Sequence, residues 1–180
     1  MTDLLQEAEA NPVAYPATPS GLSTAALTLD ATMIWQRIEA YTRMRYTARE
    51  VVWTIEGCED ESWSAPLSPI TSLSVEKWEN GAWVSTTLSD GPVGYSLPSD
   101  GTFRITAQVG DGNPPASVSE AFRRLAEYMG DDTDRAGVSS YSVNMGGAVQ
   151  ESYQRSAAHA ARALQNSGAA DLLRPYRRQK

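Results

Sequence analysis

The chain has 180 residues, 41% of them hydrophobic and 21% charged, with a net charge of −7 and a single cysteine. That length and balance predict one soluble domain with its own core, and no run approaches the roughly eighteen apolar residues a membrane helix needs. The lone Cys58 excludes an intramolecular disulfide or a cysteine-rich metal site, and an acidic body does not wrap nucleic acid.

In chain order, residues 1–29 read as a flexible arm. Leu4–Ala10 has the composition of a short helix, but Pro12, Pro16, Pro19 and Ser20-Gly21 keep the next residues extended. The opening stretch lacks the basic region of a signal peptide, so the protein is expected to stay in its maker's cytoplasm. Asp30 is placed to cap a helix reaching about Met44, with Ile34, Ile38 and Tyr41 as its buried stripe, widened by Met33 and Trp35. Arg37, Glu39, Arg43 and Arg45 are expected in solvent. Val51, Trp53 and Ile55 alternate with Val52, Thr54 and Glu56, a strand ended by Gly57. Residues 58–69 read as a loop, and Cys58, among acids that would raise its pKa, as a bystander thiol. Asn80-Gly81 then signals a two-residue hairpin turn that sets Trp78 opposite Trp83. A short strand is expected at Val93–Leu97.

The stretch the chain is organised around is Gly101–Met129. Phe103, Ile105, Ala107 and Val109 alternate with polar residues, the period of a half-buried strand. Pro114-Pro115 stops it, and Val118, Phe122, Leu125 and Met129 then recur at helical spacing. Ser117 with Glu120 has the spacing of a capping box, and Gly130 that of a terminating glycine. Asp131–Gly137 reads as a polar connector and Val138–Gly147 as an extended loop. A helix is predicted from Arg155 to Leu164, closed by Ser167-Gly168, and a last turn at Ala169–Leu173 stops at Arg174-Pro175. Tyr176–Lys180 is expected to hang free. Six cations against Glu151 and Asp171 leave the last thirty residues at +4, so the first 150 carry −11. A basic tail on an acidic body suits docking on an acidic partner.

No chemistry stands out. His159 lies among alanines without a nucleophile elbow, Asp131–Asp134 lacks the glycine and distal glutamate of a calcium loop, and Gly110-Asp111-Gly112 lacks the third glycine and lysine of a phosphate loop. The five tryptophans have core spacing. The residues therefore predict no catalytic, cofactor-binding or metal-binding site, and not an enzyme.

The order of elements, a helix, then strands, then helices, predicts an α+β chain. Its features in series resemble the head–tail connector (adaptor) proteins of long-tailed phages and gene transfer agents. They are Ile38-Glu39-Ala40-Tyr41-Thr42, the Pro69–Val75 strand, the strand before Pro114-Pro115, the helix Val118–Met129, and Ala163–Arg178 with Leu172-Leu173-Arg174-Pro175-Tyr176-Arg177-Arg178. The resemblance covers about residues 30–178. It implies a mainly helical bundle with an inserted antiparallel sheet or hairpin, arranged as a connector domain at 30–168, with strands within 50–110, and a docking segment at 169–180. It further implies a virion-neck ring of about twelve copies below the portal. The resemblance makes Leu172, Leu173, Arg174, Pro175, Tyr176, Arg177 and Arg178 the portal-binding residues. A stopper or tail-side neck protein would bind the opposite face. Double-stranded DNA would pass through unread, with some of Glu56, Glu59, Asp60, Glu61, Asp131, Asp132 and Asp134 facing the channel, because fixed cations would retain phosphates. Two alternatives stay open, a stopper or tail-completion protein and, much weaker, a small soluble enzyme.

Overall fold

The computed structural model describes residues 2–131, 140–145, 149–154 and 162–178. The chain divides into two compact units. The first holds residues 2–16, 43–113 and 178, and the second residues 17–42 and 114–177.

The first unit is a sheet protein. Its strands are β1 (Asp3–Glu9), β2 (Arg49–Gly57), β3 (Ser62–Trp63), β4 (Ile70–Glu79), β5 (Ala82–Thr86), β6 (Ser89–Asp90), β7 (Tyr95–Ser96) and β8 (Gly101–Val109). Five of them form an antiparallel sheet in the order β1-β2-β8-β4-β5, and the short ones a second sheet, β3-β7-β6. Alternation fixes the register: Val51, Trp53 and Ile55 of β2 lie opposite Ala107, Ile105 and Phe103 of β8, so one face is apolar throughout. Those six side chains are buried, and Trp63, Leu67, Val75 and Leu97 close over them. At the hairpin, Asn80 and Gly81 take φ of 50° and 83°, and Trp78 meets Trp83 edge to face at 5.1 Å.

Strand β1 occupies the stretch expected to be helical. Its residues have ordinary helix propensity, but pairing with β2 satisfies their backbone groups, and a side-chain clamp holds the end. Arg45 reaches the Glu9 carboxylate at 2.5 and 2.8 Å and Arg49 at 3.0 Å, while the Arg49 guanidinium lies 5.4 Å from the Tyr15 ring centroid. Arg45, expected in solvent, is therefore buried.

The second unit is helical. It comprises α1 (Thr24–Leu27), α2 (Ala31–Thr42), α3 (Ala116–Gly130), α4 (Ala163–Asn166) and α5 (Ala169–Leu173), with a hairpin of β9 (Ser140–Met145) and β10 (Val149–Gln154). Asp30 caps α2, accepting from the Thr32 N–H at 2.9 Å. Ile34, Trp35 and Ile38 of α2 and Val118, Phe122 and Leu125 of α3 are buried, with Trp35 packed on Phe122 at 4.8 Å. Glu39 is buried too, and Tyr41 and Met129 only half so. The capping box is absent: α3 starts at Ala116 behind Pro115, and Glu120 pairs with Arg123 and Arg124 instead. Gly130 is the last residue of α3 rather than a cap beyond it. A Cβ there would lie 2.7 Å from the Ala26 backbone nitrogen, so the glycine permits close approach of α1.

The mainly helical bundle is overturned. Strand accounts for 33% against 29% helix, and a five-stranded and a three-stranded sheet stand beside the β9–β10 hairpin. Strand β1 and the β9–β10 hairpin arise from segments the sequence reads as helix, loop or unassigned. The predicted helix before Arg162, together with His159, Asp132, Asp134 and Lys180, lies outside the described residues. Among the described residues no helix is long and apolar enough to cross a membrane.

Two outcomes test this packing. Burial alone would raise the Glu9 pKa, but the hydrogen bond and charge of Arg45, then of Arg49, hold it below 4.5. A lowered folded-state pKa contributes stability that is present at neutral pH and lost as pH falls through it. Glu9→Gln should therefore cost about 1–3 kcal/mol at neutral pH. Its melting-temperature gap to wild type should close in acid; an undiminished gap there would refute the clamp. Gly130→Ala should destabilise by about 1–3 kcal/mol in denaturant melts, although helix propensity alone favours alanine.

Candidate functional site at the C-terminal segment

Helix α4 ends at Ser167, and Gly168 takes φ of 73°, a left-handed conformation that turns the chain into α5. The Ser167 hydroxyl accepts from the Ala169 N–H at 3.3 Å, and Asn166 donates to the Tyr128 hydroxyl at 3.0 Å. With one turn between them, Ala169 and Leu173 share a face of α5, and both are fully buried. Helix α5 packs against α3. Pro175 lacks the N–H that would extend a helix, and Arg174–Tyr176 close as a 3-10 turn.

The seven predicted docking residues separate in this arrangement. Leu173 is core. Leu172 and Tyr176 are half-buried, and Arg174, Pro175, Arg177 and Arg178 are exposed. Nor does the chain hang free after Pro175. The Tyr176 and Ser117 hydroxyls lie 2.8 Å apart, and the Arg177 guanidinium sits 5.4 Å from the Tyr41 ring centroid. Within the sheet unit, Arg178 donates to the Ala65 carbonyl at 3.2 Å. Ser117 and Tyr41 were legible only as a helix cap and a stripe residue, because their partners are far off in sequence.

What remains outward is a proline-stiffened turn carrying Arg174 and Arg177. Guanidinium forks of this kind bind carboxylates through paired N–H donors. Of the acids expected to face a channel, Glu56, Glu59, Asp60 and Asp131 are exposed. Glu61 accepts from the Cys58 N–H at 3.2 Å, and Asp132 and Asp134 are not among the described residues. Among the described residues, no group of three or more His, Cys, Asp or Glu is placed to hold a metal ion.

No protein-family model matches the chain, and no curated protein matches it. Solved structures do. A chain of the neck of an empty gene transfer agent (GTA) particle, computed with C6 symmetry, superposes with a TM-score of 0.54 at 13% identity, covering 98% of this chain and 97% of that one. A chain of the virion of a native GTA particle gives a TM-score of 0.50 at 15% identity, covering 89% and 80%. The chain thus shares its fold, over nearly its full length, with a protein of a GTA neck.

Because Leu173 is buried and Leu172 only half so, Leu173→Ala should destabilise by about 2–5 kcal/mol, and Leu172→Ala by clearly less. Chemical denaturation of the two variants checks this ordering. Equal losses would show that α5 is not seated as described.

Proposed function

We propose that the chain is a structural protein of a virion neck, a head–tail connector (adaptor) that sits as a ring below the portal and joins capsid to tail. The observation that carries this reading is the shared fold with the GTA neck chain across 98% of this chain and 97% of the other. The C6 symmetry of that neck favours several copies around one axis.

In this reading the segment 172–178 docks on the portal. Arg174 and Arg177 supply outward donors for partner carboxylates, and Tyr176 offers its ring beside them. Leu173 then acts from inside, anchoring the turn to its own unit. On the sheet unit, the exposed acids Glu56, Glu59 and Asp60 suit a wall past which DNA slides without being held. A stopper or tail-completion role is the second reading, since the fold shared with one chain of a neck does not separate the two roles.

Residues 172–180 include Leu173, so their deletion is expected to unfold the helical unit and is a poor probe of docking. The doubly substituted Arg174→Glu/Arg177→Glu leaves Leu173 in place and gives up only the surface contact of Arg177 with the Tyr41 ring. It should stay folded with a melting temperature close to wild type, yet lose at least tenfold in capture by the portal protein from the same genome; reversing charges at an interface acts on association and specificity. Full retention of capture would place the anchor elsewhere. Capture by the tail-side neck protein alone would favour the stopper role.

A further inference from the structure

Among the described residues both outer strands of the five-stranded sheet have an open outer edge, that of β1 with one register irregularity between Leu4 and Gln6. Strand β1 is exposed at all seven residues, and β5 at Ala82, Val84 and Ser85. Among the described residues, β1 pairs only with β2 and β5 only with β4. Neither strand contains a lysine or a proline, the residues that usually discourage edge pairing. The apolar side chains Leu4, Leu5 and Val84 are 48%, 55% and 45% exposed.

We infer that β5 of one copy pairs with β1 of the next, joining the sheets of neighbouring copies. The proposal rests on the reading of the chain as a neck-ring subunit, and it names the surfaces through which copies meet. Charge selects the pairing. Strand β1 carries Asp3, Glu7 and Glu9, and Glu9 is occupied by Arg45 and Arg49. Two β1 strands side by side would set acids of one copy near acids of the other, which opposes pairing. Strand β5, Ala-Trp-Val-Ser-Thr, has no charge and meets β1 without that repulsion. Pairing two β5 strands instead would leave the β1 edge of both copies open.

Direction and backbone geometry come from the sheet itself. From β1 to β5 each neighbouring pair is antiparallel, so over four steps the two edge strands run the same way. A copy that continues the sheet in the same orientation therefore pairs its β1 parallel to β5. The two-residue turn makes Glu79 and Ala82 the closing hydrogen-bonded pair, and the alternation from there leaves the backbone groups of Trp83 and Ser85 pointing off the sheet. This contact is head-to-tail, the type that builds rings or filaments rather than closed dimers.

The test is cross-linking of the concentrated full chain on a Cys58→Ser background with a short bis-maleimide. The double variant Leu5→Cys/Ser85→Cys should give a ladder of dimers, trimers and higher species, and each single variant should stay monomeric. An equimolar mixture of the two singles should stop at dimers. The substituted side chains are exposed, and circular-dichroism melts verify that each variant folds. A monomeric double variant overturns the proposal, as do dimers from Leu5→Cys or Ser85→Cys alone. So does an equal ladder when Ser85→Cys is replaced by Asn113→Cys, an exposed position off the edge. Portal capture by a chain that gives no ladder would overturn edge pairing and leave the neck reading standing. A ladder without portal capture supports edge pairing and counts against portal docking.

Discussion

Strand β8 is hydrogen-bonded on both sides, to β2 from Gly101 to Val109 and to β4 from Phe103 to Val109. From Phe103 onward it is paired on both edges, and Phe103, Ile105, Ala107 and Val109 have almost no exposure. Burying side chains of this size contributes roughly 1.5–3 kcal/mol each for the larger ones. A slip of one residue would carry all four to the wet face, where Arg104, Thr106 and Gln108 now stand. The rest of the sheet depends on that alternation. Gly110 is part of the same constraint, since a Cβ there would lie 2.4 Å from the Thr47 carbonyl oxygen.

The proline pair at 114–115 hands the chain from β8 to α3, which organises the helical unit as β8 organises the sheet. Helix α3 takes α1 against Gly130, α2 through the Trp35–Phe122 contact, and α5 through the face bearing Ala169 and Leu173. Small residues set these distances. Ala121, Ala126, Ala163 and Ala169 are all buried and let helices approach closely. Hydrogen bonds complete the arrangement: Glu127 accepts from the distant Ser23 N–H at 2.6 Å, and Thr42 donates to the Ile38 carbonyl one turn back at 2.9 Å.

The charged side chains are used in packing in several different places. Arg45 and Arg49 are spent inside the sheet unit on Glu9, whereas Glu120 holds Arg123 and Arg124 along the helix surface. Arg104 does both kinds of work, pairing with Glu76 while its guanidinium lies 4.6 Å from the Trp83 ring centroid. The outward cations left near the end of the chain, Arg174 and Arg177, stand on a turn stiffened by Pro175 and anchored by Leu173. In the docking role proposed above, a turn built this way would lose less freedom than a loose tail.

From the sequence alone, period two located β2 and β8, Asn80-Gly81 located the β4–β5 hairpin, and period 3.6 located α2 and α3. These signals are local: the alternation or the turn conformer is written in neighbouring residues. The resemblance to connector proteins was legible from the order of those elements, but not the balance between helix and strand. Tertiary structure decided the rest. Asp3–Glu9 is a strand because β2 offers it an open edge and Arg45 and Arg49 hold Glu9, partners some forty residues away. Glu39 and Arg45 are buried against what their charge alone suggests. Leu173 and Tyr176 belong to their own unit because α3 supplies the pocket face and Ser117 the hydroxyl. Short elements and long-range partners leave no periodic trace, so only the folded chain could determine which arginines are buried and which are exposed.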